Sequence, residues 1–226
     1  MIRGLLLDSG DTVVGPRVGR WNPRFDFEAV LLEHWPEAPQ ERFAAGVAAG
    51  ELLLATTQRT PSRADYHRAV LDALGMGAPS PELLAELDRP LPPEQLFAVF
   101  DDVVPALDAL RERGIRMAIV SDNWATLPDL YEALGLGAYF ESVVISEVLG
   151  CTKPDPRMYR AGSDALGFEP HECLFVDDDP DLVRAAVELG YAGAVIDRRD
   201  AVDAPDLLVI TSLAQLLDLA AMRPSS

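Results

Sequence analysis

Six short apolar runs alternate with helix-patterned segments in this chain, and that alternation is the feature that most restricts its fold. The runs cover residues 4–7, 116–120, 142–145, 173–176, 192–196 and 207–210. Helical patterns fill residues 103–113, 127–134, 157–166 and 180–189, and each is followed by a glycine, at Gly114, Gly135, Gly167 and Gly190, as expected where a helix ends in a left-handed residue. Strand, helix and strand in this rhythm predict βαβ units, and therefore a parallel sheet with helices packed against it.

Residues 15–96 break the rhythm. They show no convincing strand; instead, helical patterns occupy residues 25–35, 40–56, 62–74 and 81–87, with prolines between them or at their starts. Pro90, Pro92 and Pro93 mark the return to the first pattern. The expected organisation is an α/β core formed by residues 1–14 and 97–226, interrupted by an all-α insert at 15–96. At 226 residues and 49% hydrophobic, the chain is long enough for a core domain plus a smaller insert.

Charge narrows the function. With 19 basic against 37 acidic residues, the formal net charge is −18, which repels nucleic acid and anionic membrane surfaces. An anionic small ligand would need a cation or converging basic groups to reverse that sign locally. Three leucines before Asp8 are too few for a secretory segment, and no run approaches the ~18 apolar residues of a membrane span, so a cytoplasmic protein is expected. Cys151 and Cys173 are too few for a disulfide framework or zinc site and are read as packing residues.

Ligands of an open parallel sheet gather beyond the carboxyl ends of its strands. The residues that follow the apolar runs are Asp8, then Ser121-Asp122-Asn123, then the stretch Glu147 to Lys153, then Asp177-Asp178-Asp179. Pro154 holds Lys153 in extended backbone, with Asp155 as N-cap and Pro156 as first residue of the next helix. Three adjacent acids near Asp8 repel one another unless a cation intervenes, and Mg2+ suits an all-oxygen set of few carboxylates. Asp179 and Asp181 are read instead as N-terminal acids of the helix that begins at Pro180.

These four motifs, "LLLDSGDT", "AIVSDN", "TKPDP" and "LFVDDD", resemble those of the haloacid dehalogenase superfamily, and the likeness runs over nearly the whole chain. The resemblance implies a Rossmann-like core with a helical cap, and mostly phosphate-transferring hydrolysis. It implies that Asp8 is the nucleophile and forms an aspartyl-phosphate, that Ser121 and Lys153 are catalytic, and that Ser121, Asp122 and Lys153 bind phosphate. Mg2+ would be held by Asp8, the Gly10 carbonyl and Asp178, chosen ahead of Asp177. The expected substrate is a small phosphorylated metabolite.

Two positions depart from the family pattern. The usual Asp-x-Asp-Gly-Thr reads Asp8-Ser9-Gly10-Asp11-Thr12, so the acid that protonates the leaving oxygen is missing at position 10, a contribution of roughly a hundredfold to ten-thousandfold. For Asp11 to stand in, the backbone must distort, because successive side chains of an extended segment face opposite sides. Leu182 stands where relatives often carry Asp or Asn. In the insert, Arg17, Arg20, Trp21 and Arg24 lie close in sequence to the nucleophile; Arg20 and Arg24 are candidates to clamp an anionic group, and Trp21 is either a stacking platform or a core anchor. His67 is a lone helical histidine, more ordinarily structural than a proton donor. The departures keep two alternatives in view: a non-catalytic or regulatory phospho-ligand-binding protein, and a metal-independent 2-haloacid dehalogenase.

Overall fold

The structure, a computed structural model, describes residues 1–219. The chain forms two compact units: one of residues 1–15 with 98–219, the other of Pro16–Phe97. Among the described residues, no helix is long and apolar enough to cross a membrane.

In chain order the elements are β1 (Gly4–Leu7), β2 (Val14–Pro16), α1 (Phe27–His34), α2 (Phe43–Thr56), α3 (Arg63–Leu74), α4 (Pro81–Leu87), α5 (Pro93–Leu96), β3 (Phe97–Val99) and α6 (Val103–Glu112). They continue with β4 (Arg116–Ser121), α7 (Leu127–Ala133), β5 (Ser142–Ile145), α8 (Ser146–Leu149), α9 (Pro156–Leu166), β6 (Cys173–Asp177), α10 (Pro180–Glu188), β7 (Ala192–Ile196) and β8 (Leu208–Ile210).

The first unit is a six-stranded parallel sheet of order β5-β4-β1-β6-β7-β8 flanked by helices, the Rossmann-type α/β fold. Continuous apolar strands suit a sheet covered on both faces, and Leu5, Leu6 and Leu7 are fully buried. The flanking helices bury one stripe each: α6 turns Val103, Ala106, Leu107 and Leu110 inward at spacings of three and four. Gly162 of α9 lets that helix sit close on the sheet, since a Cβ there would lie 2.7 Å from Val120 Cγ2. The four glycines expected to end helices all adopt positive φ.

Short elements escape the sequence pattern. β2 and β3 pair as a two-stranded ribbon where the chain passes from one unit to the other, and each has only three residues. α5 starts within the proline cluster, where proline is tolerated because a first-turn N–H has no helical partner.

The second unit is helical. Phe27, Leu31, Tyr66, Val70, Leu71, Leu74, Leu83 and Leu87 form its core. α2 approaches α3 through Gly46 and Gly50; a Cβ on Gly50 would meet Tyr66 at 2.6 Å. Ser62 and Ser80 cap α3 and α4 by accepting from the backbone N–H three residues on.

Candidate active site

Strand order decides what meets. β1 lies between β4 and β6, with Leu7 in register with Ile119 on one side and Val176 on the other. Asp8, one residue beyond β1, donates its N–H to the Val176 carbonyl at 2.9 Å and so stands beside Asp177. Ser121 closes β4 at the same edge of the sheet and is 2% exposed.

Lys153 joins the two strand ends. Its Nζ donates to Asp8 Oδ1 at 2.7 Å and to Asp177 Oδ2 at 2.6 Å, with the lysine side chain 2% exposed. Burial opposes its charge, but the carboxylates of Asp177, Asp8 and Asp122 override it and hold the ammonium protonated. The Lys153–Pro154 peptide is cis. Asp155 accepts from the Arg157 N–H and Pro156 begins α9, as the sequence predicts.

Asp8, Asp177 and Asp178 each offer a carboxylate oxygen within 4.8 Å of the other two. Asp177 has both oxygens engaged, Oδ2 by Lys153 and Oδ1 by the Asp179 N–H at 2.9 Å. Burial raises its pKa, and the Lys153 charge opposes the rise. For Asp178, burial, reinforced by Asp8, Asp177 and Asp11, pushes the carboxyl up to about 8. Three hard oxygen donors, with more negative charge than one lysine neutralises, fit a divalent cation of the Mg2+ type. Asp179 caps α10 by accepting from the Asp181 N–H at 2.8 Å, as expected.

Several assignments change. Asp122 was expected to bind phosphate, but its carboxylate accepts the Lys153 backbone N–H at 3.0 Å. An anionic side chain has no proton to give a phosphoryl oxygen, so the Asp122 carboxylate anchors the lysine loop and only the Asp122 backbone N–H is a donor for a phosphoryl oxygen. Arg20 and Arg24 were expected to clamp a ligand. Arg20 grips Glu28 at 2.6 and 2.8 Å and also donates to the Pro23 and Arg24 carbonyls. Arg24 holds Asp26 at 2.6 Å and the carbonyls of Glu86 and Arg89. Both forks are occupied inside the helical unit, so the structure gives these arginines a bracing role. Trp21 stacks on Phe97, with centroids 5.5 Å apart. His67 is buried between Phe27 and Tyr66, with Nδ1 unpartnered, and is structural. Leu182 packs against the core, and its carbonyl accepts Tyr159 Oη. Cys151 and Cys173 are buried and free.

Tyr131 and Ser146 carry no local signal of a place near the site. Tyr131 of α7 donates to Ser9 Oγ at 3.0 Å, fixing the residue next to Asp8. Ser146 Oγ accepts the Asn123 N–H, and Glu147 accepts that of Ala125, bracing the loop after Ser121. The loop after β7 was within reach of the rule that reads residues beyond strand ends. There, Arg198 Nη2 donates to the Thr12 carbonyl at 2.7 Å, and Arg199 Nη2 lies 2.7 Å from both carboxylate oxygens of Asp11.

A family model described as haloacid dehalogenase-like hydrolase matches residues 12–190, most of the chain. The chain belongs to the haloacid dehalogenase-like hydrolases. Among curated relatives, Phosphatase MT3486 of Mycobacterium tuberculosis is 31% identical over 121 residues, 53% of this chain and 56% of that protein. The chain spans about half the length of the curated relatives it matches. Among solved structures, a HAD phosphatase from Thermococcus onnurineus aligns with TM-score 0.62 at 19% identity, over 96% of this chain and 97% of that one. L-2-haloacid dehalogenase from Xanthobacter autotrophicus aligns with TM-score 0.67 at 20% identity, over 97% and 98%. At these identities the likeness is one of fold.

Proposed function

We propose that this chain is a Mg2+-dependent phosphatase that hydrolyses a small phosphorylated metabolite through a covalent intermediate on Asp8. The observation that carries the reading is the convergence of Asp8, Asp177 and Asp178 within 4.8 Å, with Lys153 bonded to the first two. A carbon-attacking dehalogenase needs no such acid cluster, so the cluster favours phosphoryl chemistry.

Lys153 engages Oδ1 of Asp8, which leaves Oδ2 to attack phosphorus. As the Oδ2–P bond forms, the bond from phosphorus to the leaving oxygen breaks and that oxygen takes a proton from solvent; water then attacks phosphorus, gives a proton back to solvent, and returns inorganic phosphate and the free carboxylate. Ser121 donates a hydrogen bond to a phosphoryl oxygen. Lys153 counters the charge of Asp8 and of the phosphoryl group as they approach. Asp8, Asp178 and the Gly10 carbonyl would hold the metal, and Asp177, already bound to Lys153 and to the Asp179 N–H, sits behind them. Once bound, Mg2+ supplies positive charge that offsets the repulsion between carboxylate and phosphate.

The test is phosphate release from a panel of phosphorylated metabolites, with and without Mg2+, beside Asp8→Asn. Mg2+-dependent release that the variant abolishes supports the reading. Chloride release from haloacids without metal would replace it with dehalogenation, and thermal shifts by phosphorylated ligands without turnover would replace it with a binding role.

A further inference from the structure

The Gly10–Asp11 exchange leaves a fourth carboxylate next to the nucleophile, and the structure shows what restrains it. Asp11 has φ +47°, whereas Gly10 lies outside the left-handed region, so the strained conformation falls on the residue with a side chain. Aspartate is one of the few residues that enters this region at modest cost. The Asp11 side chain is 15% exposed and its charge is felt by Asp178, yet it is not one of the carboxylates that gather within 4.8 Å.

The loop after β7 holds it aside. Asp197 organises that loop by accepting from the N–H groups of Arg199, Ala201 and Val202. Two consecutive arginines then grip two consecutive residues of the nucleophile loop. Arg198, with an 8% exposed side chain, bonds the Thr12 carbonyl and Asp102 while its guanidinium lies 4.3 Å from the Phe100 ring centroid. Arg199 holds both oxygens of Asp11 through one nitrogen, with its own side chain 64% exposed.

We propose that Arg199 is a positioning residue that draws the Asp11 carboxylate away from Asp8, Asp177 and Asp178, keeping a further acidic ligand out of the cation site. This rests on the metal reading above. The cations respond differently to an added carboxylate: Ca2+ accepts six to eight oxygens in loose geometry, whereas Mg2+ keeps a strict octahedron and its waters. Release of Asp11 therefore changes the preference between them and not merely the affinity.

The experiment is calorimetric titration of the chelator-stripped full chain with MgCl2 and with CaCl2. Arg199→Ala, or Arg199→Gln if the alanine variant does not fold, is expected to raise the Ca2+-to-Mg2+ affinity ratio about tenfold. Arg199→Lys should keep the native ratio, because one nitrogen makes both contacts, and adding Asp11→Asn to the alanine variant should restore it. An unchanged ratio in a folded variant, or an equal rise for both cations, the mark of lost positive charge alone, would overturn the proposal. Failure of the native chain to bind either cation would instead bring down the metal reading, and this proposal with it.

Discussion

Replacing Lys153 by methionine removes the only cation bonded to Asp8 and Asp177 among the described residues while keeping most of the volume of its buried stem. Two carboxylates within 4.8 Å of each other repel by at least about 3.5 kcal/mol at an effective dielectric constant of about 20. Removing one partner of a buried ion pair commonly costs about 3–5 kcal/mol, because the remaining charge stays desolvated. Urea unfolding of Lys153→Met in EDTA should therefore show a stability loss of about 3–5 kcal/mol. A divalent cation would replace part of the missing charge, so saturating Mg2+ should stabilise the variant by about 1–2 kcal/mol more than it stabilises the native chain. A loss below about 1 kcal/mol in EDTA, with equal Mg2+ effects on both proteins, would refute the idea that Lys153 balances this cluster.

Three further outcomes follow from the same structure. The Asp178 carboxyl, pushed from 3.8 to about 8, binds a proton that the unfolded chain has lost; its own contribution to metal-free stability should be complete below about pH 4 and be lost as pH rises to about 8, by at most about 1.4 kcal/mol per pH unit and less given partial exposure, and Asp178→Asn should remove that component of the slope in pH-resolved urea melts. His67 is shifted the opposite way, from 6.5 to about 4 by burial and by the Arg63 and Arg24 charges, so its contribution is complete above pH 6.5 and is lost between 6.5 and 4, about 3 kcal/mol in all; His67→Phe should reduce this acid sensitivity. Gly10→Asp restores an acid at a position that needs no left-handed backbone and should raise turnover of alkyl phosphates at least about tenfold; no increase in a folded, Mg2+-binding variant would show that proton transfer is not limiting.

Much of the fold was legible in the sequence because its signals are local. The apolar run at Gly4–Leu7, the helix stops at Gly114, Gly135, Gly167 and Gly190, and the Asp155–Pro156 start of α9 each depend on a few neighbouring residues. β2, β3 and α8 were missed because three or four residues carry too little periodicity. At the site, the residue types beyond β1, β4 and β6 pointed to Asp8, Ser121 and the triple acid, since a parallel sheet obliges those ends to share one edge. The bonding of Arg20 and Arg24 was not legible, because sequence proximity to the nucleophile says nothing of the carboxylates and carbonyls that occupy a guanidinium.

By itself, the sequence determined which segments become strands and helices and which residues stand at the strand ends, because backbone preference and hydrophobic period are written within each segment. Only the tertiary structure decided the division of labour: Asp177 tied to Lys153, Asp122 turned to the lysine backbone, Asp11 held by Arg199 from 188 residues away. Those pairings form when the sheet brings distant loops within hydrogen-bond reach, and a charged side chain takes the nearest opposite charge that burial permits, wherever in the chain it comes from.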